Sequence, residues 1–294
     1  MVWLRFFYLG LTTFNNSVAA EDYTFGPMPN IEKHAPGTFC WIELATTDQN
    51  AAKNFYGKLF GWEANDMPIG ENEFYTLFKL NGRDAAAAYT MRPEQRSAGV
   101  PPNWLLYVAV ESADDTAKLA TKLGGKIHAE PFDVMDLGRM AVIQDPTGAI
   151  FAIWQAKKNK GTGITQEKGT LCWADLSTPD PEKAARFYSG LFGWKLEKGQ
   201  NELSGYLHIK NGEEFIGGVQ PVQHRNPNAP PHWLPYFEIS NCDTTTTTAR
   251  QLGAKAYVDP TTMENVGRWS VLADPQGAVF AAFQAIPQQA VKSA

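Results

Sequence analysis

Residues 37–63, "GTFCWIELATTDQNAAKNFYGKLFGWE", return at residues 169–195 as "GTLCWADLSTPDPEKAARFYSGLFGWK", with about 14 of 27 positions identical. A second pair agrees: "GRMAVIQDPTGAIFAIWQA" from Gly138 and "GRWSVLADPQGAVFAAFQA" from Gly267. The offset is 132 residues for the first pair and 129 for the second, so insertions and deletions fall in loops. That period is too long for a solenoid and has the size of a whole domain. The chain is an internal duplication. It divides into an N-terminal extension (1–36), a first domain (37–157), a polar linker with two glycines (158–168), a second domain (169–286) and a tail (287–294).

Hydrophobic periodicity changes cleanly inside each copy. "TFCWIEL" is short and alternates, which predicts a strand. Cys40, Ile42 and Leu44 then share one face, turned to a helix, and Trp41 and Glu43 share the other. Thr47 or Asp48 caps a helix whose Ala52, Phe55, Tyr56, Leu59 and Phe60 form one apolar stripe, and Gly61 falls at its left-handed end. The second copy repeats this from Asp180–Pro181 to Gly193. Asn81–Gly82 and Asn211–Gly212 predict two-residue hairpin turns, which sets His208 opposite Phe78 in the repeat. Further strands ("NWLLYVAV", "HWLPYFEI"), helices and Asp-Pro-x-Gly turns complete each copy. The threonine-rich helix from Thr244 is weak by propensity.

Composition narrows the function. The 294 residues are 44% hydrophobic, enough for two cores, and the net charge of −5 is scattered without a basic block that would track phosphates. No nucleic-acid or membrane partner is expected, and a small molecule is. Three cysteines with no CxxC spacing give neither a disulfide framework nor a zinc site; Cys40 and Cys172 read as apolar filler. Residues 1–20 carry one Arg and a short apolar run, loosely like a secretory signal but interrupted by Thr12 and Thr13 and too short for the ~20 residues of a membrane span. A cytoplasmic protein is expected, with secretion as the alternative if that segment is a signal.

The doubled "D-x6-FY-x2-LFGW" helix and "GR-x5-DP-x-G" hairpin resemble the vicinal-oxygen-chelate superfamily, which holds glyoxalase I, extradiol dioxygenases and bleomycin-resistance proteins. The tandem form is similar to mycobacterial culture-filtrate antigens and to actinobacterial glyoxalase-like "hydroxylases". The resemblance implies an α+β fold: tandem glyoxalase-like domains, each of two βαβββ modules around a cupped mixed sheet with helices outside. It also implies three metal-ligand positions per domain. By register these fall on Trp41, Leu105 and Ala152, and on Trp173, Leu234 and Ala281, none of which supplies a metal donor. No metal and no cofactor are therefore expected. The five His show no ligand spacing.

An aromatic cup with one carboxylate takes the metal's place in this reading. Strand parity sends Trp41, Glu43, Leu105, Tyr107 and Trp154 into the first cup, and Trp173, Asp175, Leu234, Tyr236, Glu238 and Phe283 into the second. Arg139 and Arg268 are candidates for pairing with the acids or for an anionic ligand group. Trp62, Trp104, Trp194 and Trp233 read as packing. Glu43 and Asp175 are the candidate catalytic acids or bases, since burial in an apolar cup raises a carboxyl pKa toward neutrality. Two functions follow. One is a metal-independent enzyme, of lyase, isomerase or hydroxylase type, acting on a small carbonyl or planar polyketide-like compound. The other is a binding protein that sequesters a planar ligand, as bleomycin-resistance proteins do. A metal-dependent lyase or dioxygenase is a further alternative. A monomer or a homodimer of tandem-domain chains is expected.

Overall fold

The computed structural model describes residues 30–198, 205–264 and 266–286. The candidate leader at residues 1–20 and the C-terminal tail lie outside the described residues. The first domain runs β1 (Phe39–Thr46), α1 (Gln49–Phe60), β2 (Glu63–Gly70), β3 (Glu73–Leu80), β4 (Arg83–Thr90), the short α2 (Pro93–Ser97), β5 (Asn103–Ala109), α3 (Ala113–Lys122), β6 (Lys126–Val134), β7 (Gly138–Gln144) and β8 (Ile150–Ala156). The second runs β9 (Leu171–Ser177), α4 (Pro181–Phe192), β10 (Lys195–Lys198), β11 (Leu207–Asn211), β12 (Glu214–Val219), β13 (His232–Glu238), α5 (Cys242–Gln251), β14 (Lys255–Met263), β15 (Gly267–Ala273) and β16 (Val279–Ala285).

Each domain builds one eight-stranded mixed sheet, ordered β2-β3-β4-β1-β5-β8-β7-β6 and β10-β11-β12-β9-β13-β16-β15-β14. The two βαβββ modules of a domain meet where β1 pairs antiparallel with β5, and β9 with β13. The four longer helices α1, α3, α4 and α5 lie outside the cups, as expected, and between the two sheets, whereas the short α2 buries no residue. One core of buried side chains joins Ile42 and Leu44 of the first domain to Phe237 and Phe280 of the second. Separate clusters on the other faces form the cup floors, so the cups face away from each other.

The helix ends follow the sequence signals. The Asp48 side chain accepts from the Ala51 amide, and Gly61 closes α1 at φ 75°; Asp180 and Gly193 do the same for α4. The doubled aromatics of these helices serve the domain interface. Tyr56 donates across to Asp274 at 2.9 Å, and Tyr188 to Asp145 at 2.9 Å. The indoles of Trp104 and Trp233 donate to the same two hydroxyls. Trp62 reaches the Gly169 carbonyl, and Trp194 that of Gly37. All four tryptophans read as packing are buried.

Three expectations are corrected. A bulge at Cys40 breaks the register of β1 against β5, so Cys40 joins the cup-side cluster instead of facing the helix with Ile42 and Leu44. Cys172 does likewise in β9. The Asn-Gly pairs are not equivalent: Asn81–Gly82 forms the first turn, with both φ positive, but Asn211 ends β11 and Gly212–Glu213 turns. The true offset there is one residue larger, and His208 aligns with Leu77, not Phe78: His208 lies beside Gly218 as Leu77 lies beside Ala87. The linker is also no free coil. The Thr162 amide donates to the Cys40 carbonyl and that of Gly163 to Asp84, while Arg83 grips Glu167 through two nitrogens at 2.9 and 3.0 Å.

Candidate active site

Three central strands set the floor of each cup. In the first, Trp41 of β1, Tyr107 of β5 and Ala152 of β8 lie in one row straight across the sheet. The next row is Leu77, Ala87, Glu43 and Leu105. In the second cup these rows are Trp173, Tyr236 and Ala281, then His208, Gly218, Asp175 and Leu234. The phenols Tyr107 and Tyr236 therefore stand in the row where register from sequence placed Leu105 and Leu234.

Each carboxylate is held by two phenols. Tyr75 donates to Glu43 Oε2 at 2.7 Å and Tyr107 to Oε1 at 3.0 Å. Trp41 Nε1 donates to the Tyr75 hydroxyl at 3.0 Å, completing a relay from indole to phenol to acid. In the second cup Tyr206 donates to Asp175 Oδ1 at 2.6 Å and Tyr236 to Oδ2 at 2.7 Å. Trp173 Nε1 there reaches both Asp175 Oδ1 and the Tyr206 hydroxyl. Burial pushes the Glu43 and Asp175 carboxyls up, and the hydrogen bonds from their neighbours pull in the opposite direction without cancelling it. Burial and then the adjacent carboxylate push Tyr75, Tyr107, Tyr206 and Tyr236 well above the ordinary phenol value, so they remain donors at neutral pH.

Other expected residues are distributed unequally. Trp154 lies on the first floor, its ring 6.5 Å from that of Tyr107 in an edge-on contact, and its indole donates to the Asn159 carbonyl. Gly138 is glycine because a Cβ there would come within 2.2 Å of that indole. Gly267 plays the same part under Phe283. Leu105 and Leu234 flank the acids, Leu105 half-buried and Leu234 buried. Glu238 is paired with Lys168 at 2.6 Å, so it is a neutralised charge at the end of β13 and not a free acid. Arg139 and Arg268 are not in the cups. Each clamps an aspartate in the first turn of a helix through two nitrogens: Arg139 takes Asp114 of α3, and Arg268 takes Asp243 of α5. A bidentate pair with a carboxylate matches the fork geometry of guanidinium and leaves little to offer a ligand.

Reading the sequence alone missed Tyr75, Tyr206 and Tyr89. The tyrosines Tyr75 and Tyr206 are doubled, but the misleading Asn-Gly alignment hides their equivalence. Tyr89 lies in β4 opposite Tyr75, and burial first, then the Glu43 charge, pushes its hydroxyl pKa up.

Family models match both halves: "Glyoxalase/Bleomycin resistance protein/Dioxygenase superfamily" over residues 38–153 and "Glyoxalase-like domain" over residues 173–283. The chain is 38% identical over 268 residues to the Mycobacterium tuberculosis protein named "Putative glyoxylase CFP32", covering 89% of this chain and 100% of that one. It is 32% identical to the anthracycline biosynthesis protein DnrV of Streptomyces peucetius, over 84% of this chain and 93% of that one. Among solved structures, the Mn(II)-bound glyoxalase from Novosphingobium aromaticivorans aligns with a TM-score of 0.58 at 15% identity, over 85% of this chain and 82% of that one. A catechol 2,3-dioxygenase aligns at 0.58 and 13% identity, over 87% and 91%. This chain belongs to the glyoxalase/bleomycin resistance protein/dioxygenase superfamily, in its tandem two-domain form.

Some members of that fold class hold a divalent metal, and the donors in these cups do not fit one. The rows Trp41–Tyr107–Ala152 and Trp173–Tyr236–Ala281 offer one protonated phenol each and no imidazole or carboxylate. Both oxygens of Glu43 and of Asp175 already accept phenol protons. Among the described residues, no three His, Cys, Asp or Glu side chains converge.

Proposed function

We propose that the chain is a metal-independent glyoxalase-like enzyme. Its substrate is a small carbonyl or planar polyketide-like compound, and its chemistry is acid/base, of lyase, isomerase or hydroxylase type. The observation that carries this is the half-buried Glu43 carboxylate held on an aromatic floor by Tyr75 and Tyr107. Burial brings its pKa up toward the range where a carboxylate is an effective base. Trp41, Tyr107 and Trp154 supply flat faces for stacking a planar substrate. Glu43, held as a base by the two phenols, takes a proton from a carbon next to the carbonyl, leaving an enolate on the substrate, and the resulting neutral acid returns the proton elsewhere on the same molecule. The relatedness to an anthracycline biosynthesis protein supports a planar substrate, and the relatedness to CFP32 a small carbonyl.

The test is turnover of methylglyoxal and of a planar hydroxyanthraquinone by the full chain, wild type against Glu43→Gln. Loss of the base should lower kcat by ~10²–10⁴-fold with binding retained. Chelation followed by Mn, Fe, Ni or Zn should leave the wild-type rate unchanged. Wild-type turnover by Glu43→Gln, or activity that tracks bound metal, would overturn the proposal. A second function, sequestration without turnover, is favoured by one observation: both oxygens of each carboxylate already hold phenols of the same chain. It predicts tight, saturable binding of the anthraquinone and no product.

A further inference from the structure

Resting on the function proposed above, we propose that the chain has one working cup, the first, and that the second carboxylate is closed into a hydrogen-bond cluster of its own cup. An ionised carboxylate offers about four lone-pair sites. Glu43 accepts two donors, Tyr75 and Tyr107, and keeps half its capacity for a substrate. Asp175 accepts from three, Trp173 and Tyr206 on Oδ1 and Tyr236 on Oδ2, which leaves it a single free site. Accessibility agrees: Glu43 is half-buried, whereas Asp175 is 4% exposed.

Two substitutions between the repeats produce the closure. Asp175 is one methylene shorter than Glu43, so its carboxylate stays back against the Trp173 indole at 3.0 Å. Gly218 stands where the first cup has Ala87, and a Cβ there would lie 1.8 Å from the Tyr206 hydroxyl. Glycine is what lets that phenol lie across β12 onto the acid. In the first cup the Tyr89 hydroxyl accepts from Gln95 at 2.8 Å, leaving Glu43 to two donors.

Carboxyl accessibility tests this without any substrate. The native full chain is treated briefly with a water-soluble carbodiimide and glycine ethyl ester, and amidated sites are mapped by mass spectrometry. Glu43 should be amidated roughly tenfold or more faster than Asp175, because opening Asp175 first breaks a hydrogen bond to a charged group. Trp173→Phe, which removes the donor that has no counterpart at Glu43, should raise labelling of Asp175 and leave that of Glu43 unchanged. Equal labelling, Asp175 labelled first, or neither site labelled would overturn the proposal. Since no turnover is read, this result is separable from the fate of the proposed chemistry.

Discussion

At Glu43, burial and hydrogen bonding pull in opposite directions, and burial prevails. A carboxyl whose folded pKa lies above its unfolded value adds stability that is fully present below the unfolded value, 4.5 for Glu, and is lost as pH rises through the folded pKa. Glu43→Gln removes that dependence. The melting temperature of the variant relative to wild type should therefore rise as pH increases from 4.5 into the neutral range, and thermal scans at several pH values check it. A constant difference would mean that the folded carboxyl titrates as it does in the unfolded chain. Glu43, Trp41 and Tyr107 were legible in sequence because a strand puts alternate residues on one face. Tyr75 was not, because its distance from β1 along the chain says nothing about which rows the sheet brings together.

Among the elements, α5 shows local propensity overridden by packing. Its threonines make it a poor helix by itself, yet Asn241 caps it through the Thr244 amide and Cys242, Thr246 and Ala249 are buried against the sheet. The threonines differ in what they contribute. Thr244 and Thr247 are exposed, so replacing either by Ala should stabilise the protein by ~0.5 kcal/mol through propensity alone. Thr246 shares a buried hydrogen bond with Ser270 at 2.8 Å, so Thr246→Ala should cost about 1–3 kcal/mol by stranding that hydroxyl. Urea midpoints of the three variants decide this; the same sign for all three would mean that burial does not hold α5. The Arg139 and Arg268 clamps belong to this scale too. Their doubled "GR" words were visible, but the partners Asp114 and Asp243 are brought near only by the pairing of β7 with β8 and of β15 with β16.

For the whole molecule, the duplication is explained by a shared core. Each turn aspartate divides its oxygens. Asp274 Oδ1 accepts from three amides of its own hairpin, and Oδ2 accepts from Tyr56 of the other domain. Asp145 repeats this with Tyr188. Tyr56→Phe strands Asp274 Oδ2 and the Trp104 indole at once and should destabilise by ~1–3 kcal/mol. Because the apolar core is continuous between the domains, unfolding should remain a single transition, with tryptophan fluorescence and far-UV circular dichroism coincident in urea. Two resolved transitions would show that the domains stand alone.

The duplication, the two domains, the strand-helix order of each module and the cup-facing acids were determined by sequence alone. Repeat identity, hydrophobic period and capping residues act locally and survive without knowledge of the fold. The tertiary structure decided the rest: that the four longer helices lie between the sheets, that the arginines face helix ends, and that two phenols close on each carboxylate. It also decided that Asp175 holds three donors where Glu43 holds two. Those outcomes depend on side chains far apart in the chain meeting across strands, and on single-residue shifts at bulges and turns. One such shift moves a side chain to the opposite face of a sheet.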